Sequence, residues 1–183
     1  MKYKMEIAGL ERELELFPVS EETYIAAFIM FGDIEVTEHA AKELLKKAPD
    51  FDVILTAEAK GIPLAMEMSR QKGYNNYIVA RKGMKVYMKN PIHVQVESIT
   101  TQHKQELYLG QDDAEFLKNK KVIIVDDVIS TGESLEALEE LATKAGANIV
   151  GKMAVLAEGD SYNRTDITVL GKLPLFDKFG IPK

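Results

Sequence analysis

The sequence predicts an α/β fold: a mostly parallel, twisted sheet with helices on both faces. Three observations lead there. From residue 51 onward, short apolar runs alternate with helical patterns, which is the signature of strand–helix–strand units. Two of those runs, FDVILT at 51–56 and KVIIV at 121–125, are apolar almost throughout, as strands covered on both faces must be. The 183 residues suffice for one domain with a substantial core.

The elements follow in order. Residues 3–7 alternate in polarity, Ala8-Gly9 offers a turn, and residues 10–16 alternate again at Leu14 and Leu16. A hairpin and a strand followed by a helix both fit this start. Residues 24–31 are apolar and aromatic. A helix is predicted at 38–48, with Ala41, Leu44, Leu45 and Ala48 on one face and Pro49 ending it. Strand 51–56, helix 61–72 and strand 77–80 come next. IHVQV at 92–96 alternates like a half-buried antiparallel strand, and 106–109 is its expected partner. A short helix at 112–118, strand 121–125, helix 132–145 and strand 149–156 complete the series. In the last helix Leu135, Leu138, Leu141, Ala142 and Ala145 share a face, and Gly146 is its stop signal.

Composition narrows the function. A 46% hydrophobic, 28% charged chain is ordinary for a globular protein. Mean hydropathy is −0.13, and no apolar run approaches the roughly 20 residues that cross a bilayer. The opening MKYKMEIAGLERELEL is broken by charges, so a signal peptide is not expected. With no cysteine, disulfides, thiolate metal sites and cysteine nucleophiles are excluded, and a cytoplasmic location is expected. A net charge of −6 argues against general binding of nucleic acid or an anionic membrane.

Residues 122–134, VIIVDDVISTGES, carry the chemistry. A parallel strand that ends in Asp126 and Asp127 sets two carboxylates at the edge where such sheets bind ligands. Ionised carboxylates accept hydrogen bonds, so hydroxyls or a divalent metal suit them. Ser130, Thr131, Gly132, Glu133 and Ser134 then lead into a helix start, whose N–H groups and dipole favour an anion such as phosphate. Together they suit a sugar phosphate. An acidic strand end followed by an ordinary Ser/Thr helix cap explains the same spacing. Walker A and G-x-G-x-x-G patterns are both lacking.

The stretch closely resembles the phosphoribosyl pyrophosphate (PRPP) motif of type I phosphoribosyltransferases, in the manner of the adenine and xanthine enzymes. The resemblance implies a small N-terminal hood over the core, within one domain spanning 1–183: hood about 1–36 with a C-terminal contribution, core about 37–160. It implies that Asp126 and Asp127 hold the ribose hydroxyls while residues 130–134 wrap the 5′-phosphate. TAEAKGIP at 56–63 resembles the family's pyrophosphate loop, giving Ala59, Lys60 and Gly61 that role. RKGMK at 81–85 resembles a basic segment that approaches pyrophosphate, implicating Arg81, Lys82 and Lys85. FGDI at 31–34 is similar to the base-holding stretch of adenine enzymes, which points to Phe31, Gly32 and Asp33, although Gly32 stands where an arginine is common. Residues 157–160 and 173–176 are further candidates for the base pocket.

Residues 97–106 match the family's lid. Glu97 or Glu106 is a candidate for proton transfer, whereas His93 and His103 read as ordinary exposed histidines. The implied activity is transfer from PRPP to a purine, adenine first and xanthine second, with orotate as a further alternative. Lys60 and Lys85 would offset leaving-group charge beside Asp126 and Asp127. Mg²⁺ is the implied cofactor, bound through PRPP with Asp126 and Asp127 as candidate ligands, and a homodimer is implied. The competing class is a non-catalytic PRPP-binding regulator, disfavoured by the acidic balance and by a segment before the match too short for a helix-turn-helix domain.

Overall fold

The computed structural model describes residues 1–97 and 104–183. Among these, the strands form a five-stranded parallel sheet, a four-stranded antiparallel sheet and a two-stranded ribbon. The antiparallel sheet opens with β1 (Lys2–Ile7) and β2 (Leu10–Pro18), joined tightly at Ala8-Gly9, both with positive φ. Of the two starts the sequence allowed, the hairpin is the one formed. β3 (Tyr24–Ala26) pairs with β2, and β11 (Leu175–Phe176) returns from the C-terminal region to pair with β3.

The parallel sheet has the order β10 (Thr168–Leu173), β9 (Asn148–Glu158), β8 (Lys121–Ile129), β4 (Val53–Ala57), β5 (Ile78–Ala80). α1 (Ile34–Lys47) and α2 (Ile62–Lys72) cover one face, and α4 (Glu133–Lys144) covers the other. β6 (Ile92–Glu97) and β7 (Lys104–Leu109) form the ribbon beside α4, followed by the short α3 (Gln111–Leu117).

Strand alternation explains the two cores. Ile123 and Val125 of β8 pack with Val36, Ala40 and Leu44 of α1 and with Leu64 and Met68 of α2. Val122 and Ile124, pointing oppositely, pack with Leu135, Leu138 and Leu141 of α4. The strands of the antiparallel sheet contribute Ile7, Leu14, Leu16 and Phe176 to the first core, so this sheet shares its interior with the α1–α2 layer.

Three sequence expectations need correction. α1 begins at Ile34 rather than residue 38, because Asp33 caps it by accepting a hydrogen bond from the Val36 N–H at 3.0 Å. β8 does not stop at the acids; it runs on to Ile129, its pairing with β9 holding Val128 opposite Leu156 and Ile129 opposite Ala157. β10 and β11 were not foreseen. β10 is half-buried, interrupted by Gly171 and weakly patterned, and it is a strand because β9 offers it an edge.

Candidate functional site

The sheet order creates the site. From β4 the chain crosses outward to β5, and from β8 it crosses the opposite way to β9 and β10, so β4 and β8 flank the point where the winding reverses. A crevice opens at such a point beyond the carboxyl ends of the strands. Pairing between β4 and β8 ends at Leu55 opposite Ile124, so Asp126 and Asp127 continue past it alongside the loop that follows β4.

The acids have different environments. Asp127 is 2% exposed, and its Oδ2 lies 3.0 Å from Lys60 Nζ in an ion pair without the angle of a directed hydrogen bond. Asp126 Oδ1 accepts the Asp127 N–H at 2.8 Å. Burial, and then the adjacent charge of Asp127, push the Asp126 carboxyl up to about 7. This carboxyl therefore keeps its proton to higher pH than a carboxyl in water does.

Below the acids, Asp126, Val128, Ile129, Ser130, Thr131, Gly132, Ser134 and Leu135 line a cavity of about 50 Å³. The N-cap of α4 is Gly132, with φ +87° and no side chain to cap with, and Thr131 Oγ1 reaches the Glu133 N–H only at 3.5 Å. Gly132 is needed for that left-handed turn. The opening turn of a helix then faces a small polar hollow, which is the general form of an anion site.

Opposite the acids is the loop from Glu58 to Gly61, whose Glu58–Ala59 peptide is cis. Ala59 and Lys60 are exposed, whereas Gly61 is buried. A Cβ at Gly61 would penetrate Thr56 Oγ1 and lie 3.1 Å from Asp126 Oδ1 and 3.3 Å from Asp126 Cα. Only a glycine lets this loop approach the acids so closely. Thr56 Oγ1 and Asp127 Oδ2 are both buried without a hydrogen-bond partner among the described residues.

Glu58 ties the basic segment to the same loop. It receives Arg81 Nη2 at 3.0 Å and the Lys82 N–H at 3.0 Å, and these hydrogen bonds lower its pKa, the nearby charges of Arg81 and Lys85 adding to the effect. Arg81 is also held by backbone pairing with Tyr108 and donates to the Tyr87 hydroxyl at 2.6 Å. Lys60 and Arg81 thus meet at one loop, with the Lys82 backbone bonded to it and the Lys85 charge nearby.

Phe31, Gly32 and Asp33 lie apart from these groups, in the turn before α1. Phe31 is 53% exposed. Gly32 and Asp33 line a second cavity of about 290 Å³ with Met30, Thr37, Pro63, Met66 and Arg70, and it shares no lining residue with the first. The Asp33 carboxylate is occupied by Arg12 Nε at 2.8 Å and by the Val36 N–H, and the Arg12 hydrogen bond lowers its pKa. Arg12 had no motif to reveal it; its place opposite α1 comes from the hairpin.

His93 is exposed and stacks on Tyr108 at 5.3 Å, and Glu106 accepts the Tyr108 hydroxyl at 2.6 Å. Glu97 ends β6, while residues 98–103, with His103 and most of the lid match, lie outside the described residues. Glu158, at the end of β9, was named only within a wider stretch; burial raises its pKa against the opposing charge of Lys60.

A family model described as phosphoribosyl transferase domain matches residues 32–179, the segment that contains both loops and both acids. The chain belongs to this family. A hypoxanthine/guanine phosphoribosyltransferase of Methanococcus voltae is 36% identical over 163 residues, 85% of this chain and 83% of that protein. An adenine phosphoribosyltransferase of Thermosipho africanus is 32% identical over 166 residues, 89% and 93% of the two chains. Among solved structures, an adenine phosphoribosyltransferase from Rhodothermus marinus superposes with a TM-score of 0.70 at 17% identity, covering 87% of this chain and 94% of that one. That likeness establishes the type of fold. As a family member the chain is a transferase of mixed α/β architecture, as the sequence predicted. No described helix is long and apolar enough to cross a membrane.

Proposed function

We propose that this phosphoribosyltransferase moves the phosphoribosyl group of PRPP onto a purine base, releasing pyrophosphate and a nucleoside monophosphate. The observation that carries this reading is the placement of Asp126 and Asp127 between a phosphate-sized hollow and a loop that carries Lys60 and is joined by Arg81, with the Lys85 charge nearby. A phosphorylated sugar with a diphosphate on its other end spans those three features in that order. The relatives named for hypoxanthine/guanine and for adenine support a purine as acceptor.

In this reading Asp126 and Asp127 accept the ribose hydroxyls, and Ser130 to Ser134 enclose the 5′-phosphate. Ala59, Lys60 and Gly61 meet the pyrophosphate, and Arg81, Lys82 and Lys85 offset the charge that it gains on departure. Such electrostatic placement, with orientation, supplies most of the acceleration when the transition state resembles a ribosyl cation. Lys60 must leave Asp127 to reach pyrophosphate, and a hydroxyl arriving at Asp127 makes that exchange. Gly32 and the backbone before α1 face the base, the Asp33 side chain being engaged by Arg12.

The donor set also fits Mg²⁺. No group of three metal-binding side chains occurs among the described residues. Two adjacent carboxylates, with Asp127 Oδ2 paired to Lys60 but accepting no directed hydrogen bond among the described residues, nevertheless suit an ion that takes most of its oxygens from substrate phosphates. When bound it would neutralise part of the pyrophosphate charge. The reading includes a cytoplasmic homodimer, supported by the exposed Met84, Val86 and Tyr87 flanking Lys85, which a second copy would cover.

The decisive assay supplies PRPP and Mg²⁺ with adenine, hypoxanthine, guanine, xanthine or orotate and measures pyrophosphate release. Turnover with a purine that is lost in Asp126→Asn/Asp127→Asn supports the reading. PRPP binding without turnover on any base would favour a regulator instead.

A further inference from the structure

Arg164 follows the short 3₁₀ turn Gly159–Asn163, outside every motif considered so far. Its Nη1 lies 2.6 Å from the position that a Cβ on Gly132 would occupy, so the guanidinium sits directly on the backbone of the phosphate loop. A second tie comes from the same turn, where the Ser161 hydroxyl donates to the Ser130 carbonyl. The turn thus meets the residues that line the small hollow at two places, Ser130 and Gly132.

The guanidinium is fixed in place. Its Nε and Nη2 donate to the two carboxylate oxygens of Asp166 at 3.0 and 2.8 Å, a bidentate fork that sets the plane of the group. Asp166 in turn receives Lys152 Nζ at 2.6 Å, and Lys152 also reaches Glu139 of α4 at 2.8 Å. The charges facing Arg164 are therefore Asp166 beside it and Glu136 and Glu139 on α4, with Lys152 as the one neighbouring cation in the network. Nη1, the nitrogen on the loop side, has no hydrogen bond to any described residue.

We propose that Arg164 is a positioning residue for the 5′-phosphate loop. Its braced guanidinium fills the side-chain space of Gly132, holds the left-handed turn in its anion-receiving shape and places positive charge behind a loop that carries Glu133. The proposal depends on the reading of residues 130–134 as the 5′-phosphate site.

The test uses the full chain and two probes: ribose 5-phosphate, which has the phosphate and hydroxyls, and inorganic pyrophosphate with Mg²⁺. Arg164→Gln is expected to weaken ribose 5-phosphate about tenfold while pyrophosphate affinity stays at the wild-type value. The KM for PRPP rises and kcat is nearly unchanged. Arg164→Lys keeps the charge but loses the fork, so it recovers part of the affinity. Should Arg164→Gln fold poorly, Asp166→Asn frees the guanidinium without removing it and shows the same selective loss. Unchanged ribose 5-phosphate affinity in both variants, or equal loss of both probes, overturns the proposal. A wild-type chain that binds neither ribose 5-phosphate nor PRPP overturns the site reading itself, and this inference with it.

Discussion

Replacing Gly61 with alanine isolates a single physical effect. The Gly61 backbone has φ −74° and ψ −13°, which alanine adopts freely, so no backbone strain accompanies the change. Removing a glycine by itself stabilises by about 0.4–1 kcal/mol through the unfolded chain. Against this, the new methyl group enters Thr56 Oγ1 and crowds Asp126, in surroundings where Thr56 is fully buried. Overpacking of this kind costs about 1–3 kcal/mol. The net expectation is a loss of about 1–2 kcal/mol, or a melting temperature lower by about 2–8 °C for a chain of this size. Activity suffers more, because a displacement of Asp126 approaching 1 Å lowers kcat/KM by about 100-fold. Thermal unfolding and steady-state kinetics on Gly61→Ala, Thr56→Ala and the double variant form a cycle. In the double variant, stability should return because the closest obstacle is gone, while activity remains low because Asp126 is still crowded. A Gly61→Ala protein with wild-type stability and turnover, or a double variant no more stable than it, would refute the reasoning.

Asp126 has a folded pKa raised from 3.8 to about 7, so its stabilising contribution is complete below the ordinary carboxylate range and is lost as pH rises towards 7. Denaturation followed from about pH 4 to about pH 8 should therefore show Asp126→Asn gaining on the wild type with rising pH, and parallel curves would contradict the assignment. Lys60→Ala leaves buried Asp127 without its cation and is expected to cost about 1–3 kcal/mol, discounted because the lysine is half exposed. Adding Asp127→Asn to Lys60→Ala should restore most of that stability in a urea titration without restoring PRPP use, and a double variant as unstable as the single one would sink the idea.

The sequence by itself determined the layers of this protein. Unbroken apolar strands and amphipathic helices have only one economical arrangement, a parallel sheet covered twice, and the spacing of VIIVDDVISTGES and TAEAKGIP put both loops at one edge. These signals are local: a period, a turn residue, a run of like character. Tertiary structure decided what has no local signal. The strand continues through Asp126 and Asp127 because β9 pairs with it, and β10 exists because β9 has an edge to offer. Lys60 meets Asp127 across 67 residues, Arg12 meets Asp33 across 21, and Arg164 reaches Gly132 from the turn after β9. Electrostatic partnership and steric exclusion depend on distance in space, and no periodicity in the chain encodes that distance. The pKa of Asp126 is the clearest case, since its largest cause is burial, and the same neighbours in an open loop would leave only the water-screened charge of Asp127 to raise it.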